Sequence, residues 1–178
     1  ELNDSYAKAS GGKVSISRRE LEFLLACETT GRERFLVLGL LSRHFATALW
    51  SNEKDERLTE VHYYGYADYY KQMPHIFHDA KINLNITLRV IQTGIPLRVL
   101  DVMGCGGFVL TNYREEIAEH FVNGVECVIY EDIEDMYAKA QYYLGHDTER
   151  RQIAANGLAK VQRDFTFEQA LTGMLGAE

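Results

Sequence analysis

The sequence contains few of the residues that mark specialised sites or compartments. Its 178 residues include three cysteines, two prolines and one tryptophan. The three cysteines form no CxxC pair, which argues against a zinc knuckle and a disulfide framework, and free thiols fit a reducing cytosol. No apolar run approaches the roughly 18 residues that a membrane span requires. Acidic residues outnumber basic ones by 26 to 19, and this balance argues against non-specific binding of nucleic acid.

What is present is typical of a soluble globular domain. Apolar residues make up 46% of the chain and charged residues 25%, and the length suffices for one domain with a real core. The formal net charge of −7 still permits an anionic small ligand, because a few local arginines can outweigh a distant acidic surface. The chain begins at Glu1 without a methionine, so we expect an excised piece of something longer.

Short apolar segments alternate with helical patterns along most of the chain. After a polar lead-in at residues 1–13, Ser17 and Glu20 form a capping box, and Thr30 and Glu33 form a second box that predicts a separate helix. Helices are also predicted at 69–79 and from Pro96, Asn112, Asp132, Asp147 and Thr166 onward. Strands are predicted at residues 45–51, 60–65, 81–86, 107–111 and 126–130.

This alternation predicts βαβ units and an α/β fold. We expect a Rossmann-like, doubly wound parallel sheet of about five strands, with helices on both faces and extra C-terminal helices. Residues 1–43 are interpreted as a lead-in with helices at a domain junction, and residues 44–178 as the Rossmann-like domain. Ligands of such sheets bind beyond the C-terminal ends of the strands, near the switch point in strand order.

One stretch at that edge has the chemistry of an anion site. Gly94 and Pro96 open a predicted helix, whose first amides would offer a phosphate donors and partial positive charge. Gly94 would let the ligand approach the backbone, and Arg98 in the first turn could bind a phosphate with two hydrogen bonds. Asp101, one turn later, could accept hydrogen bonds from a ribose diol. The alternative is an ordinary helix start with an Arg98–Asp101 ion pair on a solvated face.

Other candidates at the predicted edge are less specific. Asn112 is predicted first to cap its helix and second to contact a ligand, and Tyr113 follows it on the same edge. Neither GxGxxG nor GxxxxGK[ST] is present, so the dinucleotide and P-loop interpretations lack their motifs. The tyrosines of residues 61–70 could stack on a base, although packing is the favoured interpretation. A structural role at the end of a helix is predicted for three glycines, Gly104, Gly106 and Gly107. A metal site is only weakly indicated by the spacing of His75, His78 and Asp79.

The segments 82–121 and 123–171 together resemble the C-terminal half of GT-B glycosyltransferases. The similarity is carried by the Asn-Leu-Asn strand end at 83–85, Gly-Ile-Pro-Leu-Arg at 94–98, the Gly-Gly pair before a strand and the aromatic Phe-Thr-Phe near the C-terminus. The nearest branch is the group-1-like domain of bacterial spore-maturation-type proteins. The resemblance covers about residues 62–172.

The resemblance implies a cytosolic enzyme of the hexosyltransferase type. Its C-terminal domain would bind a nucleotide-sugar donor without a metal, and a missing N-terminal domain would hold a sugar, protein or lipid acceptor. The resemblance also places two glutamates eight residues apart in related enzymes. Asp101 occupies the second position, which holds the ribose, whereas Thr93 occupies the first. The resemblance also implies that Arg98 lies near the phosphates and that Asn85 and Asn112 contact the nucleotide-sugar donor. We expect the isolated piece to be inactive.

Two other functions remain open at this point. A non-catalytic relative would use the domain as a binding or scaffold module with a decayed site, and Thr93 in place of an acid favours it. A flavodoxin-like receiver or nucleotide sensor would need an acidic cluster at the end of its first strand. The acids of residues 48–56 come only later, in the following loop, and the C-terminal helices exceed what that fold requires.

Overall fold

A computed structural model of the chain describes residues 2–9, 11–12, 16–91 and 93–176. These described residues form eight helices and five strands. In chain order they are α1 (Leu2–Ala9), α2 (Arg18–Ser42), β1 (Ala48–Trp50), β2 (His62–Gly65), α3 (Met73–Asp79), β3 (Asn83–Asn85), α4 (Leu97–Gly104), β4 (Val109–Asn112), α5 (Glu115–His120), β5 (Val128–Tyr130), α6 (Ile133–Gly145), α7 (Asp147–Asp164) and α8 (Phe167–Leu175).

All strand pairs in the described part of the chain are parallel, as the βαβ pattern predicts. β1 pairs with β2, while β4 lies between β3 and β5, so that Leu84, Leu110 and Val128 stand in register. The α/β class and the parallel pairing are therefore confirmed. The five strands are divided between a two-stranded and a three-stranded sheet instead of forming one hydrogen-bonded sheet.

Two hydrophobic cores lie on opposite faces of the three-stranded sheet. Neighbouring residues of β4 alternate between them: Leu110 joins the core with Val37 of α2 and Met136 of α6, while Val109 joins the core with Val102 of α4. This alternation follows from the period of two in a strand. Both cores consist of buried apolar side chains, so the sheet is covered on both faces as the doubly wound prediction requires.

Helix α2 corrects the prediction of a second helix start at Thr30. The helix runs unbroken from Arg18 to Ser42, because the Thr30 hydroxyl donates to the Ala26 carbonyl one turn earlier and Glu33 pairs with Arg89. The side chains that would have formed the capping box are thus engaged elsewhere. The described helix carries exposed apolar side chains near its beginning, at Phe23, Leu24 and Leu25.

Local capping signals predict most other helix starts. Ser17 and Glu20 form the expected capping box, and the side chains of Asp132 and Thr166 each accept a backbone hydrogen bond three residues on. Helix α3 is shorter than predicted: it begins at Met73 after a turn. Pro96 is the N-cap residue of α4, so that helix starts one residue later than predicted.

The prediction that Asn112 caps α5 is wrong. The N-cap residue is Arg114, and no side chain caps this helix. The Asn112 Oδ1 atom instead accepts a hydrogen bond of 2.9 Å from the backbone N–H of Thr87. Thr87 is buried, so its N–H group needs a protein partner, and Asn112 supplies one from the neighbouring strand.

The glycines between α4 and β4 are structural, as expected. Gly106 has a φ of 74°, which suits glycine at the end of a helix. A Cβ at Gly107 would overlap the carbonyl oxygen of Phe77 and lie 2.8 Å from Nδ2 of Asn83. The absence of a side chain at Gly107 therefore allows α3 to pack closely against the start of β4.

We predict that Gly107→Ala destabilises the fold by about 1–3 kcal/mol, because the added methyl group meets rigid backbone. Urea unfolding followed by circular dichroism measures the change in the free energy of unfolding. Gly145→Ala is the matched control, since a Cβ there meets nothing within 4 Å. Equal stability of the two variants would contradict the close packing at Gly107.

We also predict that Asn112→Ala lowers the free energy of unfolding by about 1–3 kcal/mol, because it leaves the buried N–H of Thr87 without an acceptor. Tyr113→Ala removes an exposed side chain from the next position and should change stability by less than about 0.5 kcal/mol. Denaturant unfolding of both variants separates a structural Asn112 from a replaceable one. A stable Asn112→Ala variant would refute the structural role.

Candidate functional site

The C-terminal ends of β3, β4 and β5 lie along one edge of the three-stranded sheet. The last residues of these strands are Asn85, Asn112 and Tyr130, which follow one another across the sheet. Parallel pairing places these ends together, and the loops that follow them form the usual ligand edge of a doubly wound sheet. We call this edge, with the described loop residues 86–91 and 93–96 and the start of α4, the strand-end site.

Asn85 lies in the strand-end site with its amide nitrogen already engaged. Its Nδ2 atom donates to the hydroxyl oxygens of Thr87 and Thr111, each at 3.0 Å. Its Oδ1 atom accepts no hydrogen bond from the described part of the chain. The side chain therefore has a fixed orientation and one remaining acceptor for a hydroxyl or amide donor.

Asn112 and Tyr113 differ in what they can offer a ligand. The Oδ1 atom of Asn112 is committed to the N–H of Thr87, as described above. Tyr113 donates its backbone N–H to the carbonyl of Tyr130 at 2.7 Å, while its side chain is 53% exposed. The ring of Tyr113 is thus available at the sheet edge, and Asn112 mainly positions the neighbouring loop.

The beginning of α4 is uncapped. Pro96 is its N-cap residue, no side chain of the described residues caps its first turn, and Leu97 is exposed. Gly94 has a φ of 91°, and a Cβ there would meet nothing within 4 Å. Open space therefore lies beside Gly94, and the amides of the first helical turn keep the donor capacity expected for a helix terminus.

Arg98 lies in the first turn of α4 with an exposed side chain. Its Cζ atom is 5.2 Å from the centre of the Phe77 ring, a cation–π distance. The described Arg98 and Asp101 form no ion pair, which removes the alternative of an Arg98–Asp101 pair as the reason for these residues. The Phe77 ring restricts the guanidinium without neutralising it, so the charge remains available to an anion.

Asp101 is half-buried one turn further along α4. The hydroxyl of Tyr69 hydrogen-bonds to its carboxylate, and this bond is the main reason why the pKa of Tyr69 lies above its usual value. Burial, and then the charge of Asp101, raise the pKa of the nearby Cys105 thiol. A carboxylate has more lone pairs than one hydroxyl uses, so Asp101 can accept further hydrogen bonds.

Three arginines that sequence reasoning missed hold the loop after β3. Arg34 donates to the carbonyl of Ile86 at 2.7 Å, Arg114 donates to the carbonyls of Thr87 and Leu88 at 3.2 Å, and Arg89 pairs with Glu33 at 3.0 Å. Among the described residues, only the Arg89 guanidinium of these three pairs with a carboxylate; the other two donate to backbone carbonyls. No motif indicated this cluster, because its members come from α2, the loop and the start of α5.

Tyr130 lies beside this arginine cluster at the end of β5. Its side chain is buried, and its hydroxyl has no hydrogen-bond partner among the described residues. Burial, with the charge of Glu33, raises its pKa, while Arg34 and Arg89 act in the opposite direction. The Tyr130 hydroxyl is therefore a neutral group with unused hydrogen-bonding capacity close to the strand-end site.

The tyrosine-rich segment corrects the interpretation that its rings are packed. Tyr64, Tyr66, Tyr69 and Tyr70 are between 44% and 85% exposed. Tyr64 stacks on Trp50 with ring centroids 4.9 Å apart, and Tyr69 and Tyr70 meet edge to face at 5.1 Å. Tyr64 is exposed because alternate residues of β2 face solvent. The other three tyrosines follow β2 in a loop instead of a helix.

The described residues contain neither a cluster of metal ligands nor a membrane-spanning helix. Within residues 2–9, 11–12, 16–91 and 93–176, no three side chains of His, Cys, Asp or Glu converge as metal ligands would. His78, one of the residues weighed for a metal, has its Nδ1 atom 3.0 Å from the Cys105 carbonyl. In the same ranges, none of the helices has the length and apolar content needed to cross a bilayer.

Solved structures share this fold. Anabaena Alr3699/HepE in complex with UDP-glucose matches 82% of this chain and 45% of its own length, with a TM-score of 0.64 and 15% identity. TarM matches with the same TM-score and identity over 83% of this chain and 32% of its own. The sucrose-phosphate synthase of Thermosynechococcus elongatus matches with a TM-score of 0.63 and 15% identity, over 79% of this chain and 40% of its own length. These similarities confirm the Rossmann-like, GT-B-type fold.

A relative and a family match complete the assignment. The spore protein CgeB of Bacillus subtilis is 30% identical over 109 residues, which are 61% of this chain and 32% of that protein. The chain thus spans about a third of this relative and less than half of each of these structures. The glycosyl transferase-like family matches residues 18–176. The chain is therefore a member of the glycosyl transferase-like family.

Proposed function

We propose that this chain is the donor-binding part of a glycosyltransferase and holds a nucleoside diphosphate sugar at the strand-end site. The observation that carries the proposal is the uncapped start of α4, where an exposed arginine is followed one turn later by a half-buried carboxylate. Support also comes from Anabaena HepE, a protein of the same fold that was solved with UDP-glucose. The proposal extends the family assignment to a substrate class.

The diphosphate would lie over the first turn of α4. The amides of Leu97 and Arg98 point out of an uncapped helix N-terminus, where partial positive charge favours an anion. The guanidinium of Arg98 would add charge-assisted hydrogen bonds, and Gly94 would leave room for the phosphates beside the backbone. This mode of binding needs no metal ion.

The same donors would serve catalysis. As the glycosidic bond to the donor sugar breaks, negative charge grows on the leaving nucleoside diphosphate. Donors that are already oriented toward that charge stabilise the transition state more than the ground state. The cation–π contact of Arg98 with Phe77 would keep the guanidinium oriented before the substrate arrives.

The ribose would lie against Asp101, whose carboxylate would accept hydrogen bonds from the two ring hydroxyls. Asn85 would contribute its free Oδ1 atom, and the exposed ring of Tyr113 would border the ligand. Asn112 would act through Thr87, by fixing the beginning of the loop that leads to Gly94.

The rest of the enzyme would supply what this chain does not contain. We propose a cytosolic, hexosyltransferase-type enzyme whose acceptor, a sugar, protein or lipid, is held by an N-terminal domain. An inverting enzyme would take its general base from that domain. The chain by itself would bind the donor weakly and transfer no sugar.

A second candidate is a binding or scaffold module without catalysis. Thr93 favours it, because this exposed residue stands eight positions before Asp101, where the resemblance calls for an acid. A threonine cannot supply the carboxylate that would contact the donor sugar. Under this candidate the strand-end site would have decayed.

We predict that the chain binds a nucleoside diphosphate more tightly than the matching monophosphate, and that Arg98→Ala reduces this preference about tenfold. Titration of UDP, UMP, ADP, AMP, GDP and GMP by NMR measures it. Arg19→Ala, an exposed arginine in the first turn of α2, is the control and should leave the preference unchanged. The absence of any shift at millimolar nucleotide would favour the scaffold module.

Asp101→Asn should weaken the binding of nucleoside diphosphates but leave the binding of inorganic pyrophosphate unchanged, because the substitution removes charge only from the acceptor of the ribose diol. A tenfold loss is expected from two weakened hydrogen bonds. Comparison of ribonucleoside and 2′,3′-dideoxyribonucleoside diphosphates gives the check: the variant should no longer distinguish them. Retained discrimination would place the ribose elsewhere.

A further inference from the structure

Two adjacent exposed tyrosines, Tyr69 and Tyr70, stand on an ordered turn beside Asp101. Tyr70 is 85% exposed and Tyr69 is 44% exposed. Their ring planes are at 88° to each other with centroids 5.1 Å apart, so that the two rings meet edge to face and form a corner on the surface. Aromatic rings of this size are rarely left in water without a use when they cluster.

The turn that carries these rings is held by its own hydrogen bonds. The Asp68 carboxylate accepts the backbone N–H groups of Tyr70 at 3.0 Å and Lys71 at 2.7 Å. The Asp68 N–H donates to the side chain of Gln72 at 2.8 Å, and its carbonyl accepts the backbone N–H of Gln72 at 3.0 Å. The corner is therefore organised before any ligand binds, which lowers the entropic cost of stacking.

The corner touches the carboxylate that the proposed function assigns to the ribose. The Tyr69 hydroxyl lies beside the Asp101 carboxylate, and this interaction raises the pKa of Tyr69. The helix that follows the corner, α3, packs against α4, where the Phe77 ring lies 5.2 Å from Cζ of Arg98. A nucleobase is joined to its ribose by one bond, so a ribose held by Asp101 carries its base into the surroundings of that carboxylate. The aromatic ring known to contact Asp101 is that of Tyr69, and Tyr70 extends the same surface outward.

We propose that Tyr69 and Tyr70 form the base subsite of the donor site, where the nucleobase of the sugar nucleotide stacks on the tyrosine corner. This inference rests on the proposed function, because it takes Asp101 as the ribose contact. Stacking suits the corner, since every base has a π face and the two tyrosines offer rings without a fixed charge. Tyr69 would link the two subsites, with its hydroxyl on Asp101 and its ring beside the base.

The nearby Trp50–Tyr64 pair gives an internal comparison. Tyr64 is also exposed, but its ring already stacks on Trp50 at an interplanar angle of 13°. One face of Tyr64 is thus occupied, and neither Trp50 nor Tyr64 hydrogen-bonds to Asp101 in the described chain. A base whose ribose is held by Asp101 would therefore use Tyr70 and not Tyr64.

Tyr70→Ala tests the inference, because the Tyr70 side chain makes no hydrogen bond that its removal would disturb among the described residues. Calorimetric titration should show UDP, ADP and GDP binding about tenfold more weakly, while pyrophosphate binding stays unchanged. Tyr70→Phe keeps the ring and should restore nucleotide affinity. Tyr64→Ala is the matched control and should bind like the parent chain.

The outcomes separate this inference from the proposed function. If the parent chain binds nucleoside diphosphates and Tyr70→Ala binds them equally well, the base lies elsewhere and the donor site stands. If Tyr70→Ala weakens pyrophosphate as much as UDP, the ring acts on the fold or the phosphates, and the base subsite is refuted. If the parent chain binds pyrophosphate but gains nothing from a nucleoside, both proposals fail.

Discussion

The hydrogen bond from the Thr87 N–H to Asn112 Oδ1 ties two neighbouring strand ends together, and the ligand edge depends on it. Without this bond the loop after β3 would leave a buried donor unpaired. With it, the loop starts from a fixed point between β3 and β4, and Arg34 and Arg114 hold the next carbonyls. These contacts fix the course of the chain from Ile86 to Leu88, at the start of the loop after β3.

The charge at the strand-end site differs in sign from the net charge of the chain. The chain as a whole is acidic, with a net charge of −7. The strand-end site nevertheless contains the guanidinium groups of Arg34, Arg89 and Arg114, of which only Arg89 is paired with a carboxylate in the described chain. Arg98 is exposed beside the uncapped helix start. A small anion at this edge would therefore be attracted at short range, where charges within a Debye length dominate, while the acidic remainder of the chain would repel polyanions.

Features set by neighbours in sequence could be predicted, and features set by distant partners could not. The caps at Ser17, Asp132 and Thr166 were predictable because each bond spans three residues. The engagement of Asn112 by Thr87 spans 25 residues, and that of Glu33 by Arg89 spans 56, so both local capping predictions failed. The positions of Arg98 and Asp101 on one short helix followed from spacing, whereas the contact of Asp101 with Tyr69 depends on how a separate loop packs.

The unbroken length of α2 has a mechanical consequence. Its 25 residues make a rod of about 37 Å, with exposed Phe23, Leu24 and Leu25 near one end. Thr30 and Glu33, near the middle of the rod, bond to Arg89 in the loop after β3. A stiff helix does not absorb displacement along its length. A displacement of the first turns of α2 is therefore transmitted through Thr30 and Glu33 to Arg89 and the loop after β3.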